Sequence, residues 1–334
     1  MKCGDLSLET AGRSAGSGFV ETPSLRAAAQ RALAYLKCGY PVHFSGPCGV
    51  GKTSLALHVA SCLGRPVAFL QGDSSLESLD LVGGLRGLHR RKVIDEYVRG
   101  VRRLEEDLVR RWADSWLATA CRHGYTLVYD EFTRSRPEAN NVLLSVLEER
   151  VLVLPDTTPE VGFVPVHPDF RALFTSNPKE YAGVYGAQDA LRDRLVTIRL
   201  QPYAFEEEVA IASARSGLPP DQARQVVQVI ASARADPRIR PAPTVRASIV
   251  VCRLLASTGR RPRPVDDFVL QVYGDALGEA KGVASFLKRL AEADRSQPGA
   301  AQEGGAEPRP PEVGPSEQGA AQRDPATGEA GPGE

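Results

Sequence analysis

The segment Gly46–Thr53 restricts the possible folds of this chain more than any other part of its sequence. Its residues, Gly-Pro-Cys-Gly-Val-Gly-Lys-Thr, match the spacing G-x-x-x-x-G-K-[ST] in full. An apolar run over Val42–Ser45 predicts a strand before it, and a helical pattern over Thr53–Leu63 follows it. In this order, glycines let backbone N–H groups point at phosphate oxygens, and the helix N-terminus adds partial positive charge. The sequence therefore predicts a nucleoside triphosphate site.

The residue types of this loop suggest separate roles. Lys52 is placed to reach the β- and γ-phosphates, and the Thr53 hydroxyl to bind Mg²⁺. The backbone that would surround the phosphates belongs to Gly46, Pro47, Cys48, Gly49, Val50 and Gly51. Two interpretations of Cys48 remain open: a small inert filler, or a reactive thiol whose pKa the helix N-terminus lowers.

Two acids end a second apolar strand, Leu127–Asp130. In a nucleoside triphosphatase the first acid, Asp130, holds Mg²⁺ through its water shell, and the second, Glu131, polarises the attacking water. Asn177 follows the next strand, where its amide could bind that water or the γ-phosphate. The pair Asn177-Pro178 is also typical of a simple turn, so both interpretations stand.

Short apolar runs alternate with helical patterns over residues 18–200, as in an α/β domain with a parallel sheet. The predicted strands are Val42–Ser45, Val67–Gln71, Leu127–Asp130, Ala172–Ser176 and Val196–Leu200. Residues 150–168 hold two short apolar stretches around a turn and predict an inserted β-hairpin. Residues 201–296 predict a separate helical domain, with helices over Phe205–Ser216, Pro220–Ala235, Val245–Ser257, Val265–Leu277 and Gly282–Ala293.

The end of the chain differs in composition from its centre. Residues 297–334 contain eight Gly, seven Pro and a single large apolar residue, Val313. Such a segment buries too little apolar surface to offset its ordering entropy, so we expect an acidic, disordered tail. We also expect residues 1–17 to be disordered.

Composition excludes several classes of protein. No run approaches the ~18 apolar residues of a membrane span, and the N-terminus lacks the apolar region of a signal peptide. The six cysteines never form C-x-x-C and the five histidines never form H-E-x-x-H. A disulfide framework and a zinc site are therefore not expected. We expect a cytoplasmic protein with reduced thiols and no membrane partner.

Together these motifs resemble those of the AAA+ ATPases, and the resemblance covers roughly residues 18–290. Within that class, Asp80–Gly83 and Pro243–Ala247 resemble the MoxR group. The sequence is more similar still to the gas vesicle protein N family, and the segments that carry this resemblance are 111–114, 124–141 and 180–184.

The resemblance implies a five-stranded parallel sheet in the order 5-1-4-3-2 with a helical lid, assembled as a ring, usually of six. It implies hydrolysis of ATP with Mg²⁺. The roles that it implies are Walker A for Lys52 and Thr53, Walker B for Asp130 and Glu131, sensor 1 for Asn177, sensor 2 for Arg246, and arginine finger to the neighbouring protomer for Arg194, with Arg192 as the other candidate. It also implies help in gas vesicle assembly, with other vesicle proteins as partners.

Two other functions remain open at this point. One is a MoxR-type ATPase that matures a different complex, such as a metalloenzyme. The other is a ring ATPase acting on nucleic acid, which the zero net charge and the lack of a nucleic-acid-binding module disfavour. Residues 86–111 carry nine bases and five acids, with apolar residues at helical spacing. This pattern predicts an amphipathic helix with a solvated charged face, or a contact for an acidic partner.

Overall fold

The fold is that of a computed structural model, which describes residues 19–95, 103–154, 162–177, 189–264, 266–279 and 282–295. Its strands within these ranges are β1 (Val42–Ser45), β2 (Val67–Gln71), β3 (Gly83–Asp95), β4 (Arg103–Asp114), β5 (Thr126–Asp130), β6 (Val151–Val153), β7 (Phe163–Pro165), β8 (Arg171–Ser176) and β9 (Val196–Arg199).

Five of these strands form one parallel sheet in the order β2-β5-β8-β1-β9. Counted in chain order within this sheet alone, the strands run 5-1-4-3-2 from the β9 edge. Strand β5, which lies between β2 and β8, is buried along its whole length, as expected of a parallel strand covered on both faces. The predicted α/β class is confirmed. The register aligns Ser45 with Ser176 and Gln71 with Asp130, so these strand ends meet at one carboxyl edge.

Helices cover both faces of the sheet and continue beyond it. They are α1 (Pro23–Lys37), α2 (Lys52–Cys62), α3 (Ser78–Val82), α4 (Trp116–His123), α5 (Pro137–Asn140), α6 (Val142–Glu148), α7 (Asp189–Asp193), α8 (Phe205–Ser216), α9 (Pro220–Ala235), α10 (Val245–Thr258), α11 (Asp267–Leu277) and α12 (Val283–Arg295), with a 3₁₀ turn at Phe132–Arg134.

Two hydrophobic cores enclose the sheet. On one face α1 and α2 bury Leu36 and Leu55 against Phe44 of β1. On the other face α4 and α6 bury Leu117 and Leu143 together with residues of β5 and β8. Burial of side chains of this size stabilises each layer by about 1.5–3 kcal/mol per residue. The sheet is thereby held firmly enough to position the groups at its carboxyl edge.

Two hairpins lie outside the sheet. The predicted hairpin within residues 150–168 is confirmed, since β6 and β7 pair antiparallel, although residues 155–161 lie outside the described residues. The predicted helix over 86–111 is wrong, because β3 and β4 also pair antiparallel.

The charge pattern explains this second result. The register places Lys92 opposite Glu106 and Arg91 opposite Asp107, so basic positions on one strand face acidic positions on the other. The basic and acidic residues that resemble the polar face of one helix in the sequence thus occupy facing positions on two strands. Residues 96–102 lie outside the described residues.

The helices α8–α12, which we call the helical unit, share a hydrophobic core of their own. Helix boundaries follow local signals: Gly217 and Gly259 adopt left-handed φ after α8 and α10, and the Thr244 side chain caps the start of α10. None of the described helices combines the length and the apolar composition that a membrane span requires. The segments expected to be disordered, 1–17 and 297–334, lie outside the described residues.

Candidate nucleotide-binding site

The loop Gly46–Thr53 joins β1 to α2 at the carboxyl edge of the sheet. Gly49 and Gly51 have φ values of 85° and 75°, in the region that favours glycine. A Cβ on Gly49 would lie 2.7 Å from the Thr244 Cβ, and a Cβ on Gly51 would lie 2.7 Å from the Tyr203 hydroxyl oxygen. Glycine is therefore needed at both positions, because of the backbone conformation and because two distant side chains pack directly on the loop.

The side chain of Lys52 turns back into this loop. Its Nζ donates hydrogen bonds to the carbonyl oxygens of Gly46 at 2.9 Å and Pro47 at 2.7 Å. Burial lowers the pKa of Lys52, and the nearby carboxylates of Asp130 and Glu131 oppose that shift. An anion at the loop would stabilise the buried ammonium further. The arrangement therefore fits a bound phosphate.

Hydroxyl and carboxylate oxygens meet beside the loop. The Oδ1 atom of the buried Asp130 accepts hydrogen bonds from Thr53 Oγ1 at 2.7 Å and Thr175 Oγ1 at 2.5 Å. Mg²⁺ prefers hard oxygen ligands and binds through one or two carboxylates together with substrate phosphates. Thr53 and Asp130 thus offer the donor set that such an ion needs next to a phosphate site.

Glu131 presents a second carboxylate to the same site. Its Oε1 accepts a hydrogen bond from Asn177 Nδ2 at 3.3 Å, and its Oε2 forms an ion pair with Arg134 Nε at 2.9 Å. Its backbone N–H donates to Thr175 Oγ1 at 2.9 Å. Two side chains thereby orient the carboxylate while its own backbone is held by the neighbouring strand.

The backbone of Glu131 is strained. Its φ of 51° is uncommon for a residue with a side chain, and such conformations persist where the surroundings enforce them. Gly72 contributes to that enforcement: its N–H donates to the Asp130 carbonyl oxygen at 2.8 Å, and a Cβ on it would lie 2.2 Å from the Glu131 carbonyl oxygen. Close backbone approach at Gly72 thus fixes the turn that carries Glu131.

A buried network of hydrogen bonds also holds the turn that carries Glu131. The Tyr129 hydroxyl lies 2.7 Å from Ser135 Oγ and 3.1 Å from Asn140 Oδ1, and Asn140 Nδ2 donates to the Phe132 carbonyl oxygen. Burial raises the pKa of Tyr129, so its hydroxyl stays a donor. These residues lie within 124–141, one of the three segments that carry the family resemblance in the sequence.

His43 connects three strands behind the site. Its Nε2 lies 2.8 Å from Ser176 Oγ on β8, and its Nδ1 lies 3.0 Å from Thr197 Oγ1 on β9. Burial, aided by the charge of Arg192, lowers the pKa of His43 to about 4. The imidazole is therefore neutral near pH 7, so one ring nitrogen donates and the other accepts. This link fixes the strand end that precedes Asn177.

A cavity of about 230 Å³ lies above the loop. The polar part of its lining contains Lys52, Thr53, Glu131, Thr175, Asn177, Arg215 and Arg246, with Gly49 and Gly51, and the remainder of its lining includes Phe19, Val20, Leu25, Cys48, Tyr203, Ile211, Val245 and Ile249. The lining thus combines charged and polar groups, which suit the phosphates of a nucleotide, with apolar side chains, which suit its flat base.

Two arginines predicted for the site lie elsewhere. Arg194 is not part of the cavity lining; its Nε donates to Glu148 Oε2 at 2.8 Å and its Nη1 to the Ala190 carbonyl oxygen at 2.5 Å. Arg192 acts electrostatically on His43. The structure thus brings Arg246 to this cavity, but neither Arg192 nor Arg194. An arginine that serves the neighbouring protomer would likewise lie outside the cavity of its own protomer.

Sequence reasoning missed Thr175, Tyr203, Thr244 and His43. Thr175 had a usable signal, since it lies in the same strand end as Asn177. The other three reach the site only through folding. Tyr203, for example, donates to the Val50 carbonyl oxygen at 2.8 Å, although the two residues are 153 positions apart in the sequence. Residues 180–184, which the resemblance also used, lie outside the described residues.

Comparison with known proteins extends these observations. The family profile of the AAA domain (dynein-related subfamily) matches residues 41–195. Gas vesicle ATPase GvpN of Ancylobacter aquaticus is 50% identical over 261 residues, which cover 78% of this chain and 73% of that protein. Gas vesicle ATPase GvpN of Haloferax mediterranei is 50% identical over 197 residues, 59% of this chain and 56% of that protein. Protein CbbQ of Hydrogenophilus thermoluteolus is 26% identical over 194 residues, 58% of this chain and 65% of that protein.

Proposed function

The chain belongs to the GvpN family of gas vesicle ATPases and hydrolyses ATP, and we propose that it uses Mg²⁺-dependent hydrolysis to remodel other proteins during gas vesicle assembly in the cytoplasm. The observation that carries the proposal is the convergence of Lys52, Thr53, Glu131 and Asn177 on one cavity, with Asp130 bonded to Thr53. The names of the relatives support the link to gas vesicles.

The proposed chemistry follows from this geometry. Lys52 and the loop N–H groups would bind the β- and γ-phosphates. Thr53 and Asp130 would hold Mg²⁺, which neutralises charge on the phosphate oxygens when bound. Glu131 would orient and polarise the attacking water, and Asn177, already 3.3 Å from the Glu131 carboxylate, would fix its position.

The proposal includes a ring, usually of six protomers, in which Arg194 completes the neighbouring site. An arginine supplied in trans stabilises charge in the transition state and is worth about 10³–10⁵ in rate. The position of Arg194 outside the cavity of its own protomer is compatible with that role. Its ion pair with Glu148 would have to open as the interface forms.

A role in gas vesicle assembly has stronger support than maturation of another complex. Identity to the gas vesicle ATPase of Ancylobacter aquaticus is 50% over 78% of the chain, whereas identity to the MoxR-like relative CbbQ is 26% over 58%. We therefore propose gas vesicle structural or accessory proteins as partners, and neither nucleic acid nor membrane.

Complementation tests the whole proposal. Cells that lack the parent gene would receive the parent, Glu131→Gln or Lys52→Ala, and vesicles would be measured by buoyancy and light scattering. Both variants should fail to restore vesicles, although purified Glu131→Gln should still bind ATP and hydrolyse it far more slowly. Glu149→Gln, an exposed acid at the end of α6, is the matched control and should restore them.

Three results would count against the proposal. Vesicles of normal yield with either site variant would separate ATP hydrolysis from assembly. Undiminished hydrolysis by Glu131→Gln would show that this carboxylate does not act on the attacking water. Hydrolysis that is unchanged when Mg²⁺ is chelated would contradict the proposed metal dependence.

A further inference from the structure

The helical unit contains a buried carboxylate that the nucleotide site does not touch. Glu208 of α8 has a side chain only 2% exposed. Arg234 of α9 donates to both of its oxygens, from Nη1 and Nη2, each at 3.0 Å. Ser248 of α10 donates to Oε1 at 2.6 Å. A buried charge is strongly unfavourable unless it is paired in this way, so three helices are fixed to one another at this point.

Arg234 has a third hydrogen bond that reaches the start of α10. Its Nε donates to the carbonyl oxygen of Pro243 at 2.9 Å. Pro243 immediately precedes Thr244, whose side chain caps α10. The network therefore holds α10 on both sides of its first residue, at Pro243 before it and at Ser248 in its first turn. These two anchors, five positions apart, fix both the position and the rotation of the start of the helix.

Arg246 lies between these two anchors. It is in the first turn of α10, lines the cavity, and its charge adds to the burial that lowers the pKa of Lys52. Thr244 packs against Gly49 of the phosphate loop. A cation in the first turn is unfavourable by itself, because the helix dipole is positive there. Its location opposite the loop therefore depends on where the helix begins.

We propose that Glu208 and Arg234 are positioning residues that set Arg246 over the phosphate loop. This inference rests on the proposed function and on the sensor 2 role towards the nucleotide that the family resemblance implies for Arg246, which we propose here as well. Arginine is required at 234 because its planar head offers donors in a fixed fork, two for a carboxylate and one for the Pro243 carbonyl oxygen. Lysine would keep the charge but not this geometry.

The same two helices provide a matched control. Arg224 of α9 donates from Nη1 and Nη2 to the two carboxylate oxygens of Glu206 of α8, at 2.5 and 2.7 Å. This pair is exposed and, among the described residues, forms no hydrogen bond or ion pair with residues 243–248. Arg224→Lys therefore makes the same chemical change on the same helices without touching the start of α10.

The test is a double-mutant cycle on ATP hydrolysis. Arg234→Lys should lower kcat/KM about tenfold, because a misplacement near 1 Å can cost up to about 10²-fold. Arg224→Lys should change it less than about twofold, as expected of an exposed ion pair. In an Arg246→Ala background, Arg234→Lys should have almost no further effect, because the group that it positions is gone. Thermal midpoints would be recorded for every variant.

Additive effects would overturn the inference: an equal loss from Arg234→Lys with and without Arg246 would mean that the network only stabilises the helical unit. If Arg234→Lys does not fold, Ser248→Ala, which removes only the 2.6 Å bond to Glu208, replaces it in the same cycle. An Arg246→Ala protein with parental kinetics would refute the proposed role of Arg246 and this inference with it. If Arg246→Ala hydrolyses ATP poorly and the effects of Arg234→Lys and Arg246→Ala are additive, this inference is refuted but the role of Arg246 is not.

Discussion

Neutral His43 should make the protein lose stability as the pH falls below neutrality. Its pKa is about 4 in the folded chain against 6.5 in the unfolded chain, because burial and then the charge of Arg192 disfavour the imidazolium. Between these values the unfolded chain binds one more proton than the folded chain, so stability rises with pH across this window and is lost as the pH falls. With these two pKa values, proton binding at His43 alone lowers the free energy of unfolding by about 2 kcal/mol from pH 7.5 to pH 5.0.

The variant His43→Gln isolates this contribution, because glutamine does not titrate and still offers a donor and an acceptor. Urea unfolding of both proteins at several pH values would give the free energy of unfolding. Other titrating groups change the free energy of unfolding in both proteins alike, so their contributions cancel when the two proteins are compared. The parent should lose about 2 kcal/mol more than the variant between pH 7.5 and pH 5.0.

A difference that stays within about 0.5 kcal/mol over this range would refute the reasoning, because one pKa unit corresponds to about 1.4 kcal/mol. A nuclear magnetic resonance titration of the His43 ring, assigned with the same variant, provides an independent check. A midpoint near the ordinary value would show that the ring is solvated and that its bonds to the two hydroxyls do not depend on neutrality.

Two further substitutions test the site. Gly72→Ala should lower the free energy of unfolding by about 1–3 kcal/mol and reduce kcat, since its methyl group would displace the turn that carries Glu131. The control Gly84→Ala should change neither quantity, because the space around Gly84 is open. A Gly72→Ala variant with the stability and kcat of the parent would refute the close approach of Gly72 to Glu131. Arg194→Ala should bind ATP but hydrolyse it poorly, and mixing it with Lys52→Ala should restore part of the activity. No gain on mixing, with subunit exchange confirmed by fluorescence, would exclude a finger in trans at this position.

Local sequence signals predicted most of the fold. The helices Phe205–Ser216 and Pro220–Ala235 were predicted with the bounds that the structure has, because Gly217 and Pro219 separate them and cannot continue a helix. The strands of the sheet agree within a residue, since each is a short apolar run bounded by polar or turn residues. In these elements the decisive interactions lie close together in the sequence.

The failure at β3 and β4 has the opposite cause. The pairing of Lys92 with Glu106 is a contact between strands, and strand preferences depend on such partners. For the site, the phosphate loop and Asp130 could be recognised because motif and strand are contiguous. The packing of Thr244 on Gly49, and the bond from His43 to Ser176, arise from folding and have no local signal.

The anchors at Pro243 and Ser248 also couple α10 to α8 and α9. Thr244, which lies between the two anchors, packs on the phosphate loop. A displacement of the loop that moves Thr244 would therefore move these three helices together as one body. The outer surface of the helical unit would follow, which would alter its fit to a protein bound there.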